Sequence, residues 1–278
     1  MQKKQYPIAM TIAGSDSSGG AGIQADLKTF SALGAFGTTV ITAVTAQNTC
    51  GVTAIQGIQP DIIIAQGEAV LSDLAVCAIK LGMLHDRHTI EAVSSLLEMY
   101  PHLPVVADPV MVATSGDRLL QSEAVASYIQ HIFPHTTLLT PNLIEAGILA
   151  EMNVQTPEEM LLAANKISQM GCDAVLIKGG HLTGTCMTDI LVQKNTAPIY
   201  LHADFVTTEN THGTGCTLSA AIAALLAQGQ NLEEACKEAK EYLHAALQAG
   251  AGVTVGAGHG PVNHFYKPKA LKADNYTV

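Results

Sequence analysis

The chain has 278 residues, of which 48% are hydrophobic, 14% charged and 4% aromatic, with no Trp and a net charge of −10. This composition excludes a disordered chain, calls for an aliphatic, Ala-rich core and, with no Lys/Arg cluster, excludes a nucleic-acid binder. Six cysteines form no C-x-x-C pair, and no apolar stretch nears the ~18 residues of a membrane span, so free thiols and a cytoplasmic location are expected.

In chain order, the apolar run Ile8–Ala13 predicts a buried strand that ends in Gly14. Gly19, Gly20 and Gly22 open a helix whose buried side is marked by Ile23, Leu27 and Phe30. Phe36–Thr45 reads as a strand. A helix follows from Pro60 to about Asp73, then a strand at Cys77–Leu81 and a helix at Thr89–Met99. Pro104–Ala107 and Thr137–Leu139 read as short strands flanking a helix at Leu119–His131. Thr156-Pro157-Glu158-Glu159 is a helix start with a capping box and Pro at the first position, and Gly171 ends that helix. Strands follow at Ala174–Ile177 and Asp189–Gln193. Leu218, Ala221, Ile222, Leu225 and Leu226 recur at amphipathic spacing, and Asn231 with Glu234 caps a last helix to about Ala249. Strands alternating with helices predict a single α/β domain over residues 1–278, its mostly parallel sheet covered by helices on both faces. Lys267–Val278 reads as a flexible tail.

The segment Asn210-Thr211-His212-Gly213-Thr214-Gly215-Cys216-Thr217 precedes that amphipathic pattern. Its glycines let the backbone approach a ligand, and unpaired N–H groups at a helix start make an anion site. A plain Gly-rich turn is the competing reading. Cys216 at that position is either a thiol driven towards thiolate by the helix dipole or a small buried cysteine. Gly14–Gly22 forms a second Gly-rich turn that matches neither G-x-G-x-x-G nor a P-loop. Asp108, Asn142 and Glu145 follow strand ends, where oxygen ligands suit Mg²⁺; Asn142 equally suits a helix cap. Lys178 at a strand end either reaches a phosphate or is simply solvated. The eleven His residues form no metal pattern.

Taken in order, these motifs resemble the hydroxymethylpyrimidine/phosphomethylpyrimidine kinases of the ribokinase-like superfamily. The resemblance rests on Thr11–Asp16, Gly19–Phe30, Thr45–Thr49, Lys80–Leu84, Asp108–Met111, Thr140–Leu143, Lys178–His181, Thr211–Leu218 and Gly258–Val262, and covers about residues 6–266. It implies a ribokinase-like three-layer fold, ATP and Mg²⁺ as cofactors, and two sequential phosphorylations in thiamin biosynthesis. The first falls on the hydroxymethyl group of 4-amino-5-hydroxymethyl-2-methylpyrimidine, the second on the phosphate just installed. By the same resemblance, Gln47, Asp26, Met83, Val110 and the Gly14 and Ala21 backbones bind the pyrimidine. Asn142, Lys178, Thr211, Gly213 and Gly215 bind ATP. Gly213 and Gly215 form the anion hole, Cys216 is the proposed base, Lys178 also serves catalysis, and Asp108 and Glu145 lie at the metal. A homodimer is expected.

Three rival readings are open to the same residues. One is a pyridoxal kinase of the same fold, as main or side activity. Another is acyl transfer through Cys216 with His212 as its partner. The last is a non-catalytic nucleotide or pyrimidine sensor.

Overall fold

A computed structural model describes residues 4–111, 122–180, 186–271 and 273. The strands are β1 (Ile8–Asp16), β2 (Phe36–Asn48), β3 (Gly51–Gly57), β4 (Val76–Leu81), β5 (Val105–Ala107), β6 (Leu138–Leu139), β7 (Ala174–Ile177), β8 (Cys186–Gln193) and β9 (Ile199–Asp204). The helices are α1 (Gly22–Leu33), α2 (Pro60–Leu71), α3 (Arg87–Met99), α4 (Ser122–His131), α5 (Leu143–Ala150), α6 (Pro157–Ser168), α7 (Thr214–Ala227) and α8 (Leu232–Gly250). The nine strands among the described residues join one sheet in the order β3-β2-β1-β4-β5-β6-β7-β8-β9. Pairings from β2 through β1, β4, β5 and β6 to β7 are parallel, while β3, β8 and β9 add antiparallel edges.

The three layers follow from alternation along the strands. In β5, Val105 and Ala107 face one core while Val106 faces the other. The first core takes Ile63 of α2, Ile90 of α3, Tyr128 of α4, Ala146 of α5 and Met160 of α6. The second takes Phe30 of α1, most of α7 and Ala239 of α8. Helices thus cover both faces, as parallel strands with apolar residues on both sides require. The chain runs outward from β1 to β2 on one side and from β4 onward on the other, so the sheet has its switch point between β1 and β4. A crevice at the carboxyl ends of the strands is the ordinary ligand position there.

Several elements differ from the sequence reading. Edge strands β3 and β9 were absent from it. Helix α7 is not amphipathic: Thr217–Leu225 and Ala227 are all buried, because α1, α8 and strands β1, β4 and β5 enclose it. The helix start at Thr156 is observed as read, with a reciprocal capping box to Glu159. Of the helix read over Leu119–His131, residues 119–121 lie outside the described residues, as does His181 of the Lys178 motif. Within the expected tail, Lys269 donates its N–H to the Ala32 carbonyl at 2.7 Å and pairs its ammonium with Glu238; residues 272 and 274–278 lie outside the described residues. Cys50, Cys77, Cys172, Cys216 and Cys236 are free. Among the described residues no helix is long and apolar enough to cross a membrane.

Candidate active site

The two Gly-rich turns meet at the carboxyl edge of the sheet. Gly213 caps α7 with φ +78°, and a Cβ there would collide with the Gly20 carbonyl oxygen. Only glycine fits both the left-handed backbone and the approach. The first turn folds around its own carboxylate. Asp16 accepts hydrogen bonds from the Ser18 N–H (2.8 Å) and hydroxyl (2.8 Å), the Gly20 N–H (3.1 Å) and the Ala21 N–H (2.8 Å). His212 Nε2 adds a contact at 2.9 Å from the second turn. Burial opposes ionisation of Asp16, but His212, Ser18 and the Ala21 N–H outweigh it and hold its carboxyl well below the usual range. The N–H groups of this turn therefore face inward onto Asp16.

The second turn is left open. Thr214 donates to the Thr211 carbonyl at 3.3 Å and Thr217 to the Gly213 carbonyl at 2.8 Å, whereas the N–H groups of Gly215 and Cys216 find no acceptor among the described residues. Two free donors at the start of a fourteen-residue helix are what an anion needs. A Cβ on Gly215 would lie 3.3 Å from both Asp108 Oδ2 and Lys178 Nζ, so the bare backbone is what admits this approach.

Asp108 and Lys178 arrive from the ends of β5 and β7. Lys178 Nζ donates to Asp108 Oδ1 at 2.7 Å. Burial works against the Lys178 ammonium, but Asp108 and Glu145 outweigh it and raise its pKa. The solvated strand-end reading of this lysine is thereby set aside. Asn142 is the N-cap of α5, its side chain accepting from the Glu145 N–H at 2.9 Å, and Glu145 Oε2 accepts from the Asn142 N–H at 2.8 Å. Glu145 Oε1 also accepts from the Met111 N–H at 3.3 Å. Burial is the main cause that pushes the Glu145 carboxyl up to about 7, with Asp108 adding to it against the pull of Lys178.

On the opposite side, Gln47 lies half-buried near the end of β2, its amide nitrogen 3.5 Å from His212 Nε2 and its backbone clamped by Ser17, which accepts from the Gln47 N–H at 2.8 Å and donates to its carbonyl at 2.7 Å. The Met83 side chain lies against Gly14, whose added Cβ would sit 3.2 Å from the Met83 methyl. Val110, half-buried, donates its N–H to the Asp108 carbonyl at 2.8 Å. Ala21 gives its N–H to Asp16 at 2.8 Å, and its carbonyl accepts from the Ala25 N–H at 3.1 Å. Asp26 lies in the interior of the fold. It is fully buried, accepting from Thr11 Oγ1 at 2.6 Å and Lys80 Nζ at 2.9 Å, while its Oδ1 has no partner among the described residues. Burial disfavours the Lys80 charge, but Asp26 overrides it and keeps the ammonium protonated.

Of the two readings of Cys216, thiolate at a helix start or small enclosed cysteine, the surroundings favour the second. Part of the residue reaches the surface, yet the thiol is enclosed, and burial pushes its pKa up to about 11. Lys80 and the Gly22 N–H favour the anion, Asp26 and Asp108 oppose it, and desolvation prevails over the helix dipole. His212, the partner required for acyl transfer, is bonded to Asp16 and not to Cys216.

Sequence reasoning gave no role to Asp16, Lys80 or Asp189. For Lys80 a signal existed: a lone lysine inside the apolar run Val76–Leu81 must be buried with a counter-charge. Asp16 and His212 lie 196 positions apart, and no local pattern links them.

A family model described as phosphomethylpyrimidine kinase matches residues 16–263. A hydroxymethylpyrimidine/phosphomethylpyrimidine kinase of Rhizobium meliloti (strain 1021) is 52% identical over 261 residues, covering 94% of this chain and 97% of that one. Among solved structures, a Bacillus subtilis pyridoxal kinase in an ADP complex is similar at a TM-score of 0.86 and 37% identity, over 94% of this chain and 98% of its own. A phosphomethylpyrimidine kinase from Clostridium difficile 630 is similar at 0.77 and 42% identity, over 86% and 99%. The motif order read along the sequence and a family model that spans most of it agree: this chain belongs to the phosphomethylpyrimidine kinase family.

Proposed function

We propose that this chain transfers the terminal phosphoryl group of ATP to 4-amino-5-hydroxymethyl-2-methylpyrimidine and then to the resulting monophosphate. The observation that carries the reading is the pair of unbonded N–H groups at Gly215 and Cys216, set against Asp108 and Lys178 on one side and against the Gly14–Gly22 turn on the other. Two fixed donors beside one ammonium offer a transferring phosphoryl group its charge stabilisation. Gln47 and Met83 are the candidate walls for a flat nitrogen ring, and the Gln47 amide can both donate and accept.

Phosphoryl transfer usually passes through a loose transition state, so the acceptor proton can leave late. A neutral Cys216 thiol at the start of the reaction is compatible with that timing. The second acceptor, a phosphate with a second pKa near 6, is already largely ionised at neutral pH and needs no base.

The residues present fit Mg²⁺. Asp108 and Glu145 bring two carboxyl groups to the one ammonium of Lys178, which pairs with Asp108. Asp108 would hold the ion, with Glu145 contributing field more than ligation, since both its oxygens already accept N–H groups. Mg²⁺ bound with the nucleotide would neutralise charge on the phosphates.

A pyridoxal kinase side activity is favoured by the similarity to the Bacillus subtilis pyridoxal kinase. Mass spectrometry of the products from ATP, Mg²⁺ and the pyrimidine alcohol tests the main reading. Products carrying one and then two added phosphates support it, and recovery of unmodified alcohol refutes it. Comparison of kcat/KM for pyridoxal and the pyrimidine alcohol ranks the two substrates.

A further inference from the structure

We propose that Asp189 and Lys240, which touch none of the groups assigned to ATP or pyrimidine, are positioning residues that hold Lys178 at the nucleotide side of the site. Lys240 on α8 places Nζ 2.7 Å from Asp189 Oδ2, and Asp189 Oδ1 accepts the Gly179 N–H at 2.9 Å. Gly179 directly follows Lys178, whose Nζ lies 2.7 Å from Asp108 Oδ1. A continuous series of short polar contacts therefore runs from the outer helix to the site.

The backbone explains why it is needed. Pairing between β7 and β8 ends at Ile177 with Ile190, one residue before Lys178. Beyond that point β8 no longer pairs with the chain, and on the β6 side a single parallel bridge between Lys178 and Asn142 remains. Two bonds take over: the Lys178 N–H donates to the Pro141 carbonyl at 2.9 Å, and the Gly179 N–H donates to Asp189. The first fixes Lys178 from the β6 side, the second from the β8 side. Lacking either, the lysine stem can rotate and move its ammonium away from Asp108 and Gly215.

Asp189 is 5% and Lys240 8% exposed. A carboxylate this enclosed needs a counter-charge to stay in place as an acceptor, and Lys240 supplies it. The ion pair thus secures the acceptor, and the acceptor secures the turn that carries Lys178.

The inference rests on the kinase reading given above, and the experiment separates the two. The full-length chain carries D189N/K240M in one variant and D189L/K240M in another. The first replaces the ion pair yet keeps an oxygen for the Gly179 N–H; the second removes that oxygen and fills the space with apolar groups. With thermal stability followed in parallel, D189L/K240M is expected to raise KM for ATP and lower kcat, together by about 10- to 100-fold in kcat/KM for ATP, with KM for the pyrimidine unchanged. D189N/K240M is expected to stay within about threefold of the parent, because the bond to Gly179 survives. Asp189→Ala is the second test if the Leu variant does not fold. There the freed ammonium can turn into the open groove of about 420 Å³ that Lys240 lines with Tyr200 and Glu241. It should show the same split between KM for ATP and KM for the pyrimidine. Parent-like constants in D189L/K240M or D189A, or equal impairment of both double variants, would overturn the inference and leave the kinase reading standing. A parent chain that transfers no phosphate from ATP would overturn the kinase reading itself.

Discussion

His212 Nε2 lies 2.9 Å from Asp16 Oδ2, and this one contact joins the end of β1 to the turn that opens α7. It makes the two Gly-rich turns a single polar unit, with Asp16 at its centre and Gln47 at its rim.

Replacement of that charge is the first test. Asp16→Asn keeps the volume but removes the anion that five donors address, and is expected to cost about 2 kcal/mol at neutral pH. The folded pKa of Asp16 lies below its ordinary 3.8, so its stabilisation is complete above that value and fades as pH falls below it. Urea unfolding of both proteins should show a wide gap at pH 7 that narrows towards about pH 3. A gap that does not change with pH would mean that the carboxylate acts by shape alone.

Cys216→Ala is expected to slow the first phosphoryl transfer by about 10²–10³-fold and the second by less than about tenfold. Because the thiol is pushed up to about 11, the first transfer in the parent should accelerate as pH rises from neutrality, and the variant should lose that slope. Product-resolved kinetics of each half-reaction read both effects. Equal losses in the two steps would assign Cys216 to shaping the anion hole.

Glu145 gives the opposite sign to Asp16. Its folded pKa of about 7 exceeds the ordinary 4.5, so the folded state binds the proton more tightly and loses stability as pH rises between those values. Glu145→Gln keeps an acceptor for the Asn142 N–H. Relative to the parent, it should therefore be more stable at pH 8 than at pH 5, by on the order of 1–3 kcal/mol. Denaturant midpoints at the two pH values decide it.

Gly213→Ala is expected to cost about 3 kcal/mol or more, since it combines a left-handed backbone with a collision against Gly20. Gly215→Ala should fold normally, its Cβ meeting only the tips of Asp108 and Lys178, and should lower kcat/KM for ATP. Thermal melts paired with kinetics distinguish the two glycines.

Interior elements were readable because their residues announce them. Ala174–Ile177 is an unbroken apolar run and was placed as observed, and Thr156 with Glu159 signals a helix start in any context. Strands β3 and β9 were not readable: no residue of β3 is fully buried and in β9 only Leu201 is, so neither edge carries a hydrophobic face to notice. Near the site, the turns that carry Gly213, Gly215 and Lys178 were legible as the end of a strand and the start of a helix. The state of Cys216 was not, because a helix terminus is visible in sequence whereas the burial that overrides it, and the charges of Lys80, Asp26 and Asp108 that act on the thiol from opposite directions, are assembled only by the fold. Asp189 was read only as the start of a strand, and its link to Lys240, 51 positions on, exists only once α8 packs beside β9.

The enclosure of α7 has a mechanical consequence. With Ala220, Ala221, Ala223 and Ala224 all buried between sheet and neighbouring helices, sliding or rolling this rod would unpack two layers at once. The donors at its tip are therefore stationary, aimed before any nucleotide arrives. Whatever shifts during a catalytic cycle must travel towards them, and they serve as the anvil of the machine.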